Sequence, residues 1–505
     1  MSFDKEAFVG AVAGYTQHAT PQASAALLQK LIRTKLLRYT DMRDAPERFF
    51  AAHRLLATQF DKGVGGFGIR FTVQFNLFAG SILGLGSDEQ IADLERMQEE
   101  GVLGCFALTE AKAGVMSGLI VETTATWLPD AEQFEITTPH DGAQKNWISQ
   151  GLTAELCVVM ADLIVGGKRL GPHPFLIRIR EQRSGGGGGG GGGYALCAGV
   201  EAEDMGVKTV ANDLDNARLR FSGVRCGRGA LLARFCEVRG REEYVVKGER
   251  MRIEVIGQRL LTGRLCIAQA ALVATRKLFG RATAFARVKA CNGTRGAVAL
   301  AALPQLASLL AKADVALSAV ERFCAAVESR LSAHLSAGSI PSDELVEAIG
   351  VAKIRSIGTC IAQSHALQQE VGSYALMGGT GFEHLDMLQC CKFAEGDSRI
   401  LLQKMARDRL KRFQKEGTLS TMVGQALLGG SAAVKAEAWS AFNLGRALTG
   451  GGAPLAEAWE REWEAVYELA ERVCDRHMVQ AAGEGSLFEE CQGEEEVNVI
   501  VTARL

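Results

Sequence analysis

The stretch GCFALTEAKAG at residues 104–114, followed by KNWISQG at residues 145–151, decides the fold interpretation of this chain. Around it the sequence turns from helical character to short, Thr-rich and β-branched segments such as Val121–Trp127 and Gln133–Thr138. Such runs are typical of strands, so residues 104–240 are predicted to form a central antiparallel β domain. Within this domain, backbone N–H groups of the first stretch and the Trp of the second could dock a flat cofactor.

Helical patterns flank the β domain on both sides. Residues 1–103 carry an apolar helical stripe in Ala25–Leu37, and Ser87 opens a further helix. Residues 241–415 hold four long amphipathic helices, which predict a four-helix bundle, and residues 416–505 add a helical tail. The predicted fold class is therefore α+β multidomain: an N-terminal helical domain, a central β domain and a C-terminal four-helix bundle with its tail.

An unbroken glycine run, Gly185–Gly193, interrupts the β domain. Such a run cannot pack a core, and it is predicted to be a disordered surface loop between strands. A phosphate-cradling role is the alternative, but neither a strand–turn–helix context nor a Lys-Ser/Thr pair accompanies the run.

Composition limits the classes of function. The net charge of −2 over 505 residues gives no electrostatic case for a nucleic-acid partner. The 13 cysteines, an odd number without paired spacing, predict reduced thiols in an intracellular compartment, and no metal site is predicted. No apolar run has the length of a membrane span.

A second pair of stretches lies farther along the chain, GGTGF at residues 378–382 and FAEGDSRILLQKMARDRL at residues 393–410. A glycine-rich turn lets the backbone approach a phosphate closely. Glu395 and Asp397 stand where a helix begins, and an acid there can stabilise the helix N-terminus. Asp397 is predicted to be that cap, and Glu395 stands beside it as a lone acid at the mouth of an apolar helix.

These four stretches, in this order, resemble those of the acyl-CoA dehydrogenase and acyl-CoA oxidase superfamily, whose helical–β–helical arrangement the chain also matches. The resemblance implies FAD as the cofactor, a fatty acyl-CoA as the substrate and Glu395 as the catalytic base opposite the flavin. Gly171–Ile177 and the Glu-Gly-Asp sequence that begins at Glu395 resemble the oxidase branch.

The resemblance also implies which residues contact the flavin ring. The backbone around Leu108 and Thr109 would meet the pyrimidine edge of the ring. Trp147 would flank the ring, and the Ser149 hydroxyl would bond near N5. Gly151 matches a glycine that the oxidases use in the same turn.

Five more residues receive roles from the resemblance. Arg287 would reach the flavin pyrophosphate, often across a subunit interface, and the turn at Gly378 and Gly379 would contact the cofactor. Arg259 lies where the superfamily places an Arg near the CoA moiety, and Gly396 is assigned to substrate binding with it.

The implied reaction is FAD-dependent oxidation of fatty acyl-CoA to trans-2-enoyl-CoA, with O2 as acceptor and H2O2 as product, the first step of peroxisomal β-oxidation. An acyl-CoA dehydrogenase that passes electrons to an electron-transferring flavoprotein is the first alternative. An inactive acyl-CoA-binding or scaffold relative is the second, favoured by Val115-Met116 where the superfamily has a Ser that contacts CoA.

The last three residues, Ala503-Arg504-Leu505, form a small–basic–Leu tripeptide that resembles a peroxisomal address. The expected location is therefore the peroxisome, with the import receptor as a partner. The resemblance further implies a homodimer or homotetramer, because the superfamily binds its flavin at a subunit interface.

Overall fold

The computed structural model describes residues 3–15, 19–59, 65–115, 117, 120–182, 194–247, 253–294, 296–415, 424, 431–450 and 452–483. The chain divides into two compact units. Unit 1 comprises Met1–Cys266 with Ser332–Ile340, and unit 2 comprises Ile267–Leu331 with Pro341–Leu505. The predicted glycine loop at 185–193, most of the tail between 416 and 430, and the C-terminal tripeptide lie outside the described residues. The predicted domain boundaries at 103, 240 and 415 stay a prediction.

The described residues at the start of unit 1 form the helices α1 (Lys5–Val12), α2 (Pro21–Arg33), α3 (Asp41–Asp44), α4 (Pro46–Ala57), α5 (Gly65–Thr72), α6 (Gly80–Leu85) and α7 (Asp88–Glu100). The prediction that Ser87 opens a helix is confirmed: its hydroxyl accepts the Gln90 amide at the start of α7, while the Gln90 side chain returns to the Ser87 backbone. A π-helical segment, Val73–Ala79, joins α5 to α6.

The strands of unit 1 are β1 (Gly104–Ala107), β2 (Thr124–Leu128), β3 (Gln133–Thr137), β4 (Lys145–Ser149), β5 (Leu156–Val165), β6 (Lys168–Arg178), β7 (Arg180–Gln182), β8 (Tyr194–Leu196), β9 (Val200–Asp204), β10 (Asn216–Phe221), β11 (Val224–Gly227), β12 (Cys236–Arg239) and β13 (Glu243–Val246). A six-stranded sheet runs β1-β5-β2-β3-β11, with β6 also paired to β5, and a second sheet runs β4-β10-β9. The predicted strands at 121–127 and 133–138 correspond to β2 and β3.

The sheet is mixed, which corrects the purely antiparallel prediction. Most pairings are antiparallel, but β5 pairs in parallel with both β1 and β2. Parallel neighbours need a long crossover, and the residues between β1 and β5 provide one. Tightly packed aromatic rings fill the core, with the Phe134 ring 4.8 Å from Trp127 and 5.1 Å from Phe175.

The π-helical segment anchors the beginning of β1. The Gln74 side chain accepts the Gly104 amide at 2.9 Å and donates to the Val102 carbonyl at 3.0 Å. Gly104 is required here, because a Cβ at this position would lie 2.2 Å from the Phe78 ring.

A long helix, α8 (Ile253–Val288), runs from unit 1 into unit 2. The further elements are β14 (Ala290–Gly293), β15 (Gly296–Ala299), α9 (Pro304–Ala337), α10 (Asp343–Val371), α11 (Leu385–Phe393), α12 (Ser398–Lys415), α13 (Ala432–Thr449), α14 (Leu455–Arg461) and α15 (Trp463–Gly483). The helices α8, α9, α10 and α12 are the four predicted for the bundle. On α8, Arg276 donates to Glu321 and Ser318 of α9 at 2.8 Å and 2.7 Å.

Helices from the predicted tail pack directly on the bundle of unit 2. Arg409 on α12 and Arg476 on α15 both bind Glu437 on α13, at 3.0 Å and 2.6 Å. His477 on α15 contacts the Glu347 carboxylate on α10 at 2.8 Å. These helices therefore extend the bundle by a buried network of charges. Over the described residues, no helix is long and apolar enough to cross a membrane.

Candidate active site

The stretches at residues 104–114 and 145–151 lie side by side in unit 1. The chain leaves β1 through Leu108 and Thr109, and the Thr109 carbonyl accepts the Asn146 amide of β4 at 2.9 Å. Leu108 is half-buried, whereas Thr109 is exposed. These contacts bring the two stretches together, and their role toward a cofactor stays a prediction.

A buried ion pair joins the stretches, and sequence reasoning missed it. Lys145 Nζ lies 2.8 Å from Glu110 Oε1, and neither side chain is exposed to solvent. Glu110 also accepts the backbone amides of Glu122 and Thr123, at 2.8 Å and 2.9 Å, and Lys145 donates to the Leu108 carbonyl at 3.2 Å. Burial lowers the pKa of Lys145, while the Glu110 charge opposes that shift. Both residues stand inside the quoted stretches, so their opposite charges were the available signal.

Trp147 sits on a β-bulge with its indole 57% exposed. In the pairing of β4 with β10, Lys145 faces Leu219 and Ile148 faces Ala217, so two residues of β4 stand opposite one. Trp147 has a φ of +58°, a left-handed conformation that is rare for an aromatic residue. A large exposed aromatic ring on a strained backbone is typical of a binding position.

Ser149 and Gly151, which follow Trp147, both contact residues of β10. The Ser149 hydroxyl accepts the Asn216 side-chain amide at 3.0 Å. Gly151 is buried, and a Cβ there would lie 2.7 Å from the Ala217 Cβ and 2.9 Å from the Ile148 carbonyl oxygen. Gly151 is therefore explained by close packing with β10, and its predicted contact with a flavin stays a prediction.

A second buried network, centred on Arg70, supports this turn. Arg70 on α5 is fully buried, and it donates to Asp215 at 2.6 Å, to Gln150 at 3.1 Å and to Thr153 at 2.9 Å. Asp215 also accepts the Leu152 amide at 2.7 Å. The only sequence signal for this network was a single Arg inside the apolar run GFGIRFTVQFNLF.

The two predicted arginines lie on α8. Arg287 is exposed in the last turn of the helix, where a cation also complements the helix dipole. Arg259 lies on the same helix within unit 1. Their predicted contacts with the pyrophosphate and the CoA moiety stay predictions.

The glycine-rich turn of unit 2 binds a carboxylate of the chain itself. The amides of Gly379 and Gly381, both at positive φ, donate to the Glu383 carboxylate at 2.5 Å and 2.8 Å. Gly378 and Gly379 are exposed, and a Cβ at either one would meet no atom within 4 Å. The predicted contact of Gly378 and Gly379 with a cofactor stays a prediction, and Glu383 was not anticipated from the sequence as an anion bound by this turn.

Glu395 stands in the short turn between α11 and α12. It is half-buried with a φ of +56°, and Gly396 follows with a φ of +93°. The fully buried Lys353 of α10 donates to the carbonyls of Lys392 at 3.3 Å, of Ala394 at 2.6 Å and of Gly396. This ammonium therefore binds the backbone on both sides of Glu395.

Asp397 caps α12, as predicted. Its carboxylate accepts the Arg399 amide at 2.7 Å, and its carbonyl accepts the Leu401 amide at 3.0 Å. The cap assignment is thus confirmed, and it distinguishes Asp397 from Glu395. The role of Glu395 as a base stays a prediction.

Known proteins resemble this chain in sequence over part of its length and in fold over nearly all of it. No protein-family model matches the chain. It is 34% identical over 207 residues to the peroxisomal acyl-CoA oxidase 2 of Arabidopsis thaliana, a match over 39% of this chain and 27% of that protein. The matched region thus spans about a quarter of the relative's length.

Two solved structures of acyl-CoA oxidases share the fold over nearly the whole chain. Acyl-CoA oxidase 1 of Yarrowia lipolytica superposes with a TM-score of 0.75 at 18% identity, covering 99% of this chain and 77% of that one. Acyl-CoA oxidase 2 of Caenorhabditis elegans, bound with FAD, ascaroside-CoA and ATP, superposes with a TM-score of 0.70 at 17% identity, covering 99% and 78%. At such identities the likeness shows the fold, and the predicted α+β arrangement is confirmed.

Proposed function

We propose, on the premise that this chain belongs to the acyl-CoA oxidase and acyl-CoA dehydrogenase superfamily, that it oxidises fatty acyl-CoA to trans-2-enoyl-CoA with FAD and dioxygen. One observation carries the proposal: Glu395 occupies a left-handed turn in which the carbonyls of Lys392, Ala394 and Gly396 accept from one buried ammonium. Such a conformation costs a non-glycine residue about 1–3 kcal/mol. The surrounding structure therefore holds the backbone of Glu395 against its local preference, and a fixed backbone is what a catalytic base requires.

The residues around Trp147 fit a flat cofactor. The exposed indole offers a planar face, and the exposed Thr109 lies on the neighbouring segment. The Lys145–Glu110 pair and the Arg70 network hold these segments before any ligand binds, so little ordering has to accompany binding. FAD, when bound, would accept a hydride from the substrate Cβ and pass two electrons to dioxygen, giving hydrogen peroxide.

Glu395 would take the proton from the substrate Cα. The α-hydrogen of a thioester is weakly acidic, and it is removable when hydrogen bonds stabilise the charge that develops on the carbonyl oxygen. Loss of the α-proton and of the β-hydride leaves the trans double bond between Cα and Cβ. Asp397 cannot replace Glu395, because its carboxylate is engaged at the start of α12.

The decisive experiment compares Glu395→Gln with Asp397→Asn in the full chain. We expect Glu395→Gln to keep FAD and to lose about 10²–10⁴-fold in turnover, the range of a general base. Asp397→Asn is the matched control, because Asn is an equally good helix cap, and its turnover should stay within about threefold of the original. Near-original activity in Glu395→Gln would refute the assignment of the base.

The spectrum of the purified protein tests the remaining parts of the proposal. Anaerobic acyl-CoA should bleach the visible flavin band, and air should restore it with release of hydrogen peroxide. Bleaching that persists in air would overturn the choice of dioxygen in favour of a protein acceptor. If the protein shows no flavin band even after FAD is added, the oxidation proposal fails, and the chain is then an acyl-CoA-binding relative without redox activity.

A peroxisomal location and a homodimer or homotetramer are part of the same proposal. The Arabidopsis relative is named peroxisomal, and the finer proposal is that Ala503-Arg504-Leu505 recruits the import receptor. Removal of the tripeptide should disperse a fluorescent fusion from peroxisomes, and unchanged import would exclude that role. Light scattering should give a dimeric or tetrameric mass, whereas a monomer would contradict the proposed assembly.

A further inference from the structure

The turn that carries Glu395 requires an explanation for its stability. Glu395 and Gly396 both have positive φ, so the chain reverses through two consecutive left-handed residues between α11 and α12. Glycine accepts this conformation without a steric penalty, but a glutamate does not. A base is useful only if its carboxylate enters the site at a fixed point, so something must hold the backbone on each side.

Lys353 is placed to do this. It stands in the middle of α10, its side chain is fully buried, and its ammonium donates to the carbonyls of Lys392, Ala394 and Gly396. An ammonium has three N–H donors, and the turn offers a carbonyl for each. The Lys392 carbonyl also lies in the last turn of α11, where the helix dipole favours a cation.

A second bond pins the same turn from α12. The Ser398 hydroxyl donates to the Lys392 carbonyl at 3.1 Å, and the Ser398 side chain is buried. The end of α11 is thus tied to both α10 and α12, and Glu395 lies between these two attachments. Burying an ammonium is costly unless it is bonded, and here Lys353 donates to the carbonyls on both sides of the candidate base.

We propose that Lys353 is a positioning residue, which fixes the turn around Glu395 so that the carboxylate meets the substrate Cα. The proposal rests on the proposed function for its catalytic consequence, but the structural part can be tested without turnover. A displacement of about 1 Å at a reacting group can reduce a rate about 10²-fold. Loss of Lys353 should therefore slow proton removal far more than it weakens substrate binding.

The test uses the full chain with FAD and three variants. Lys353→Met removes every donor, Lys353→Arg keeps a buried cation, and Arg355→Met is the matched control on the same helix. Arg355 binds Asp475 at 2.6 Å and Glu471 at 2.8 Å, away from the Glu395 turn. Its loss should destabilise unit 2 while the rate of flavin bleaching stays within about threefold.

Two readouts separate positioning from general stability. In hydrogen–deuterium exchange, the peptide that spans residues 390–400 should exchange about tenfold faster in Lys353→Met and not in Arg355→Met. In anaerobic single turnover, Lys353→Met should bleach about 10–100-fold more slowly with acyl-CoA affinity changed less than about threefold, and Lys353→Arg should recover part of the rate. Original exchange and original bleaching in Lys353→Met would overturn the proposal.

The test still decides the role of Lys353 if a variant does not fold or if the protein does not oxidise acyl-CoA. If Lys353→Met does not fold, Lys353→Gln retains one donor group, and an original bleaching rate with original exchange in that variant would overturn the proposal equally. If acyl-CoA does not bleach the unaltered protein, the proposed function fails. The exchange measurement then still decides whether Lys353 holds the turn.

Discussion

Replacement of Lys145 by Met should destabilise unit 1 far more than replacement of any exposed lysine. The ammonium lies 2.8 Å from Glu110 with no exposed surface on either side chain. Its removal leaves a buried carboxylate with only two backbone amides as partners. Breaking a buried pair costs about 3–5 kcal/mol, and the two amides that remain favour the lower end, about 3 kcal/mol. For a unit of this size that corresponds to a melting temperature lower by about 6–12 °C.

The assay is urea unfolding followed by circular dichroism, with the free energy of unfolding taken from the midpoint and slope. Lys112→Met is the matched control, since Lys112 is 57% exposed and lies 3.8 Å from Glu122. Exposed pairs contribute about 0–1 kcal/mol, so the control should unfold almost as the original does. Equal stability of Lys145→Met and Lys112→Met would refute the argument that the buried pair organises the loop.

The pH dependence of Glu110→Gln provides the complementary check. Burial lowers the pKa of Lys145 below its unfolded value of about 10.4, so between these two values the unfolded state binds more protons and stability rises with pH. Without the Glu110 charge the folded-state pKa falls further, and this window extends toward neutral pH. Glu110→Gln should therefore regain stability as the pH rises to about 10, by at most about 1.4 kcal/mol per pH unit. If Glu110→Gln were less stable than the original protein by the same amount at every pH from 7 to 10, the argument that Lys145 loses its proton in this range would be contradicted.

Three further substitutions test the same unit. Gly151→Ala places a Cβ 2.7 Å from the Ala217 Cβ and should lower the free energy of unfolding by about 1–3 kcal/mol. Gly227→Ala is its control, because a Cβ there meets open space and should not lower the stability. Similar urea midpoints for the two variants would contradict the packing argument. Trp147→Ala should change stability by no more than about 0.5 kcal/mol but weaken FAD binding about tenfold in a fluorescence titration, and unchanged affinity would remove Trp147 from the cofactor site. Arg70→Met should cost about 3–5 kcal/mol in calorimetry, because its buried carboxylate partner loses its cation; a melting temperature within 2 °C of the original, about 1 kcal/mol, would show that the network is dispensable.

The order of elements could be predicted from the sequence because it depends on local patterns. Short β-branched runs predicted β2 and β3, and amphipathic patterns predicted the long helices of unit 2. Caps were equally local: Ser87 and Asp397 each bind an amide within three residues. These features are encoded in a few neighbouring residues, so one sequence was enough to find them.

The supports of the candidate site could not be predicted in this way. Arg70 and Asp215 are 145 residues apart, and Lys353 meets carbonyls about 40 residues farther along the chain. No periodicity links such partners, because each contact depends on the tertiary fold and on which backbone groups remain to be bonded. The parallel pairing of β5 with β1 and β2 escaped prediction for the same reason.

Backbone strain occurs at candidate site residues in each of the two units. Six described residues other than glycine have positive φ, and three of them, Trp147, Gln150 and Glu395, fall in the stretches that sequence alone singled out for chemistry. At two of them a buried cation is bonded to the residue or to its turn: Arg70 donates to the Gln150 side chain, and Lys353 donates to the Ala394 and Gly396 carbonyls on either side of Glu395. Since a strained residue persists only where its surroundings over-determine it, Arg70 and Lys353 help to hold the backbone at Gln150 and Glu395. Substitution of either cation should therefore act first on the backbone that it holds.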